Sequence, residues 1–334
     1  MEKYLIAHDL GTSSNKASLF STAGELVKSY TVPYEVHFFQ KNCAQQNPTD
    51  WWEAVCTATR KIIEDIPPEN VLGISFSSQM QACIAVNENG EALRPAMIWA
   101  DQRAEEQMEQ LVERVGFDRM YEKLMWIRDN EPEIYGKTYK MLLAKDYIIC
   151  RLTGRFVTDY SEASGTDAFD LRRLEWSREI LDAAGISPEK MPELHASTDV
   201  IGTLLPDAAK ALGLTEETAV VCGGGDGPCS ALGAGSIEEG QMFLSYGTSA
   251  WIAGTADEVF LDKEKTLICF GHVIPGKYMP CGTMQAAGSS YSYIKKALCQ
   301  DEEELARMEG TSVYEKMNRL VRKSPAGAKG LIFL

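Results

Sequence analysis

A lone aspartate, Asp9, closes the apolar run of "YLIAHDLGTSSNKASLF" and is followed by Gly11, Thr12 and Ser13 before apolar residues resume at Ala17, Leu19 and Phe20. A Gly-Thr-Ser turn bares backbone N–H groups that cannot pair within a hairpin and adds two hydroxyl donors, a combination suited to phosphate. The pattern returns in "QMFLSYGTSAWIAGTADEVF", where Gly247, Thr248 and Ser249 again separate two apolar runs, and both copies end in a polar turn. Either copy alone also fits an ordinary β-hairpin whose glycine only supplies turn geometry. Together they read as a weak internal repeat, two turns from two domains expected to face each other across a cleft and grip a polyphosphate. Asp9 has Ser245 as its counterpart in the second copy. A carboxylate beside phosphates repels them unless a divalent cation intervenes, so Asp9 points to Mg²⁺ held through water.

Between the repeats, "VVCGGGDGPCSALGAG" empties an apolar run into three glycines, Asp226 and a small-residue segment compatible with a helix from about Cys229. Two readings stand here. Asp226 could cap the helix, or the glycines let a ligand approach the backbone while Asp226 serves as general base toward a hydroxyl that attacks a phosphoryl group. Asp226 and Pro228 break the spacing of a dinucleotide-binding GxGxxG.

The elements that must carry these residues belong to a chain of 334 residues, 45% hydrophobic and 24% charged, enough to bury two domains. The boundaries expected are 1–240 and 241–334. A net charge of −15 makes nucleic acid and the anionic membrane surface poor partners. No apolar run has transmembrane length, and the start lacks a signal-peptide pattern, so a cytoplasmic location is expected. Nine cysteines without a CxxC pair read as reduced, buried thiols. The four histidines stand too far apart to suggest a metal site and are expected in core or surface roles. "NVLGISFSS" reads as a strand, "DQRAEEQMEQLVERV" as an amphipathic helix, and "SREILDAAGI" and "DAAKALGL" as helices ended by glycine. The class is mixed α/β, with ligands expected where strands end in loops.

"HDLGTSSNKASLF", "QQNPTDWWEAV", "GISFSSQMQA", "LRPAMIWADQRAEE", "KDYIICRLTGRFVTDYSEASGTDAFDL", "GGGDGPCSALGAG" and "LSYGTSAWI" follow one another in the order of the FGGY carbohydrate kinases, and the chain most resembles their xylulokinase branch. The resemblance implies an actin-like, ribonuclease H-like fold of two α/β domains, with ATP and Mg²⁺ between them and a sugar deep in the first. It makes Asp9, Gly11, Thr12 and Ser13 the first phosphate loop and Gly247, Thr248 and Ser249 the second. Asp226 becomes the base, sharing the metal with Asp9. Gln79, Met80 and Gln81 of "SSQMQA" fall on the sugar loop. Trp99, Asp101 and Arg103 fall beside the sugar pocket, although a strand end followed by a helix cap at Asp101 explains that block equally well. Glu162 and Asp167 read as loop and cap residues.

Two departures from the family pattern shape the expectations. Gln81 and Ala82 stand where xylulokinases carry His-Gly, which leaves xylulose, another ketose, a polyol or a sugar acid open as substrate. After "DRMYE" a family loop is missing, and "PAGAKGLIFL" resembles a strand that in the family precedes a long remainder with the adenosine-binding motif. The chain is therefore expected to be C-terminally shortened, with an apolar edge favouring a homodimer. The alternatives to a sugar kinase are a catalytically silent sugar-binding or regulatory protein and, less favoured, an actin-like chaperone ATPase.

Overall fold

The computed structural model describes residues 2–115, 122–247, 250–260, 267–284 and 286–332. The chain forms two compact units, Met1–Met242 with Gly254–Pro280, and Phe243–Ala253 with Cys281–Leu334. A single cut after residue 240 therefore does not describe it. Gly254–Pro280 returns to the first unit, where the Gly271 N–H donates to Ser164 Oγ at 2.9 Å and the Gly240 N–H to the Thr255 carbonyl.

The first unit is organised by a seven-stranded sheet containing β1 (Tyr4–Leu10), β2 (Ser14–Ser21), β3 (Leu26–Pro33), β5 (Val71–Ser78), β6 (Val200–Thr203), β7 (Ala219–Val221) and β8 (Gly224–Gly225). The order is β6-β7-β5-β1-β2-β3, with β8 continuing beside β5. A separate short strand, β4 (Cys43–Gln46), leads into helix α1 (Pro48–Ile62). Strict alternation in β1 buries Tyr4, Ile6, His8 and Leu10 and leaves Asp9 on the opposite, open face. Helix α1 starts where Asn47 accepts the Thr49 N–H and Pro48 occupies the first turn, and it buries Trp51, Val55 and Ile62 in the core behind the sheet.

His8 belongs to that core. Its ring stacks on Phe76 and lies 3.1 Å from both Asn15 Oδ1 and Thr59 Oγ1, and burial lowers its pKa to about 4. His272 is buried against the Ser236 carbonyl. The nine cysteines are free, eight of them buried. The helices expected from glycine endings are present as Arg178–Ala184 and Pro206–Leu212, each stopped by a left-handed glycine, Gly185 and Gly213. The amphipathic segment forms a helix over Glu105–Val115. No helix among the described residues is long and apolar enough to cross a membrane.

A second sheet contains β9 (Met242–Tyr246), β10 (Ala250–Gly254) and β11 (Tyr278–Met284); β10 neighbours β9 on one side and pairs antiparallel with β11 through Ala250–Met284 and Trp251–Thr283, residues of the second unit. Three helices follow: Gly288–Leu298, Gln300–Glu309 and Val313–Val321.

The glycine run before Asp226 has a tighter purpose than ligand access. Gly223 holds φ +69°, and a Cβ there would lie 2.0 Å from the Phe76 carbonyl oxygen. A Cβ on Gly224 would meet Val273 at 2.4 Å, and one on Gly225 would meet Met80 at 2.8 Å. The space over these glycines is filled by protein, which corrects the expectation that they open the backbone to a ligand. Gly223→Ala should lower stability by about 3 kcal/mol or more, because both the backbone conformation and the strand contact forbid a side chain. Gly233→Ala, in open space at a helical φ, should stay within about 1 kcal/mol of the parent. Urea unfolding of the two variants checks this, and equal stabilities would refute it.

Candidate active site

The site is assembled by strand register. Asp9 of β1 sits opposite Ser77 of β5, and Ser77 sits opposite Gly224 of β8, so three adjacent strands end together. Two residues beyond Gly224, Asp226 opens helix α4 (Asp226–Gly233). The cap of that helix is Gly225, so the capping reading of Asp226 is not what the backbone adopts. Asp226 keeps a solvent-exposed surface, and its Oδ1 accepts the Gly227 N–H at 2.8 Å. Surrounding protein nevertheless raises its pKa to about 6, with the Gly227 bond opposing the shift and the Asp9 charge adding to it. Asp9 is also raised, by burial, against a Ser77 hydrogen bond and the charge of Lys16.

The Asp9 charge disfavours ionisation of Asp226, and a divalent cation bound by the two carboxylates would relieve that repulsion. Mg²⁺ commonly takes only one or two protein carboxylates, filling its shell with water and substrate phosphate. Asp9 and Asp226 fit that demand. No group of three or more metal-ligating side chains exists among the described residues.

In the first Gly-Thr-Ser turn the Gly11 N–H pairs within the hairpin with the Ser14 carbonyl at 3.0 Å, and the three carbonyls are held by protein donors. The Gly11 carbonyl accepts the Tyr34 hydroxyl at 2.6 Å, the Thr12 carbonyl accepts Gln46 Nε2 at 2.8 Å, and the Ser13 carbonyl accepts the Tyr34 N–H at 3.1 Å. The N–H groups of Thr12 and Ser13 have no protein partner among the described residues. Trp99, 53% exposed, donates its indole N–H to Thr12 Oγ1 at 2.9 Å, which leaves the Thr12 hydroxyl proton available. Gln79 joins this turn from β5: its N–H reaches the Leu10 carbonyl at 2.8 Å and its Nε2 reaches Gln46 Oε1 at 2.8 Å.

Met80 lies against Gly225, and a Cβ on Gly165 would come within 2.8 Å of its Cε. Gln81 follows in the left-handed region, φ +63°, a strained conformation for a residue with a side chain. Asp101 and Arg103 form an ion pair. Asp101, 3% exposed, accepts the Ala44 N–H at 2.7 Å and binds the Arg103 guanidinium at 2.6 Å, and that guanidinium lies over Phe39 and Trp126. Asp101 therefore neither caps a helix nor leaves its charge unpaired. In the second unit Gly247 borders a cavity of about 690 Å³ lined also by Gly288, Tyr291, Ser292, Lys296 and Tyr314. Thr248 and Ser249 lie outside the described residues.

Beneath Asp226 sits a buried charge cluster that sequence reasoning missed. It spans helix α2 (Ala144–Thr153) and helix α3 (Tyr160–Ser164). Lys145, fully buried, contacts Asp146 at 2.8 Å and Asp159 at 2.9 Å. Burial opposes the Lys145 charge, but the two aspartates outweigh it and hold the pKa well above the usual lysine value. Asp159 caps α3 and accepts the hydroxyls of Ser161 and Ser197, and Ser161 Oγ in turn accepts the Gly225 N–H at 3.0 Å. Glu162 is no loop residue. It is fully buried in α3, accepts the Ser78 hydroxyl at 2.6 Å, and burial pushes its pKa well above the carboxylate range. The available signal was the Lys-Asp pair opening an otherwise apolar helix in "KDYIIC".

Fold and site together define an actin-like α/β sugar kinase architecture. Residues 4–233 match the N-terminal domain of the FGGY family of carbohydrate kinases, and the chain belongs to that family. It is 32% identical to a xylulose kinase of Bacillus subtilis over 99% of its length and 30% identical to a gluconokinase of the same organism over all of it; in each case it spans 67% of the relative. The crystal structure of a gluconate kinase from Lactobacillus acidophilus superposes with a TM-score of 0.89 at 27% identity, covering 100% of this chain and 68% of that one. A ligand-bound xylulose kinase from the same species gives 0.88 at 27% identity, with 99% and 68% covered.

The raised pKa of Glu162 has a stability consequence. Unfolded, this acid ionises near its usual 4.5; folded, it keeps its proton to higher pH, so between those limits the folded state loses stability as pH rises. Glu162→Gln mimics the protonated acid and removes this loss. Its melting temperature relative to the parent should increase steadily from pH 5 to pH 8, and a difference that stays flat or shrinks would contradict a protonated Glu162.

Proposed function

We propose that the protein transfers the terminal phosphoryl group of ATP to a hydroxyl of a ketose, polyol or sugar acid, with Asp226 as general base. The observation that carries this reading is the placement of Asp226 at a strand-to-helix junction, solvent-accessible, with a pKa of about 6 and Asp9 beside it. A base of that strength is ionised at neutral pH and can still take a proton from an alcohol as its oxygen attacks. The sugar oxygen forms the new P–O bond, ADP leaves with the bridging oxygen, and the hydroxyl proton passes to Asp226 and then to solvent. Asp9 and Asp226 would hold Mg²⁺, which when bound offsets phosphate charge. The outward N–H groups and hydroxyls at Thr12 and Ser13 offer hydrogen bonds to phosphate oxygens. Gly247 and its neighbouring cavity supply a second candidate surface for the nucleotide. Gln79, Met80 and the strained Gln81 form the loop whose Met80 packs against Gly225, the residue before Asp226, and are the proposed sugar side. Trp99 joins them through Thr12. The relatives named xylulose kinase and gluconokinase support testing a ketose and a sugar acid first.

The test is sugar-dependent ADP release with D-xylulose, D-gluconate and a polyol panel, alongside thermal shift with each sugar. Asp226→Asn should lower turnover about a hundredfold or more. Sugar affinity and melting temperature should change little, since Asn keeps an acceptor for the Gly227 N–H. Turnover within about threefold of the parent would remove Asp226 from the mechanism. Sugar binding without turnover in the parent would instead favour a sugar-binding protein.

A further inference from the structure

We propose that Tyr34 and Gln46 are positioning residues that aim the N–H groups of Thr12 and Ser13 at a phosphate, and that Gln46 ties this pair to the sugar-side residue Gln79. The inference rests on the phosphate reading of the 11–13 turn given above.

The argument begins with the peptide plane. In a trans peptide the C=O of one residue and the N–H of the next point in opposite directions. The Gly11 carbonyl and the Thr12 N–H share one plane, and the Thr12 carbonyl and the Ser13 N–H share the next. Tyr34 Oη holds the first carbonyl at 2.6 Å and Gln46 Nε2 holds the second at 2.8 Å, so both N–H groups are turned away from the protein. Without these two donors the planes could rotate, and the carbonyls would present negative charge where phosphate is to bind.

Each donor is suited to the task. Burial, together with the Asp9 charge, raises the Tyr34 pKa, so its hydroxyl stays a donor at any ordinary pH. Gln46 is 1% exposed and uses its whole amide: Nε2 reaches the carbonyls of Thr12 and Glu35, at 2.8 and 3.2 Å, and Oε1 accepts from Gln79 Nε2. Two backbone carbonyls can only accept, which fixes the amide orientation and makes Gln79 the donor to Gln46. A shift of Gln79 on sugar binding would therefore pass through one side chain to the Thr12–Ser13 peptide.

The experiment titrates magnesium tripolyphosphate into the full 334-residue chain, reading affinity by calorimetry and the Thr12 and Ser13 amide resonances by NMR. Both amides should shift in the parent. Tyr34→Phe and Gln46→Met keep volume and remove the donors, and each should weaken binding about tenfold, with a smaller shift at the amide it no longer aims. Variants that bind within about threefold of the parent and shift both amides normally would overturn the proposal, as would a lower melting temperature with unchanged affinity. Tyr34→Phe keeps the half-buried ring, so it carries the test if Gln46→Met does not fold. A parent whose amides do not respond overturns the phosphate reading itself, and the inference with it.

Discussion

Everything chemical in the first unit depends on how closely the chain before Asp226 passes over β5. The Gly223 backbone runs against the Phe76 carbonyl at a distance no side chain could share, and β8 then pairs with Ser77 and Ser78. This approach sets Asp226 two residues beyond a strand whose register is already tied to Asp9 through β5. Moving β8 by one residue along β5 would shift the start of the following helix, and with it Asp226, relative to Asp9.

The same approach explains the buried charges underneath. Lys145, Asp146, Asp159 and Glu162 are costly to bury, and replacing one partner alone would leave another charge unpaired. Their return is geometric. Asp159 orients Ser161, Ser161 holds the Gly225 N–H, and Glu162 holds the Ser78 hydroxyl, so β5 and β8, two of the three strands that end at the site, are gripped from below. Burial, with the charges of Asp146 and Asp159 adding to it, favours the protonated form of Glu162.

In the loop after β5 the support is packing. Met80 fills the space against Gly165 and Gly225, linking the loop after β5 to the chain that carries Asp226. Asp101 and Arg103 anchor the neighbouring segment by pairing with each other and with the Ala44 N–H. In the same block Trp99 is the exposed member, and its indole reaches Thr12.

Much of this protein was legible in the sequence because it is encoded locally. The apolar runs on either side of Asp9-Leu-Gly-Thr-Ser marked a turn between strands, glycines marked the helix ends, and ordered short blocks identified the family and pointed to Asp226. Local pattern could not say what the glycine run was for, since the Phe76 carbonyl and Met80 that fill its space lie far away in the chain. Nor could it reveal Tyr34 and Gln46. Their contacts with Gly11 and Thr12 cross 23 and 34 positions, and the Glu162–Ser78 bond crosses 84. Such contacts depend on register and on the separation of side chains brought together by folding. The residue types that could do the chemistry were therefore written in the sequence, while the direction in which each donor, acceptor and charge points was decided only by the tertiary structure.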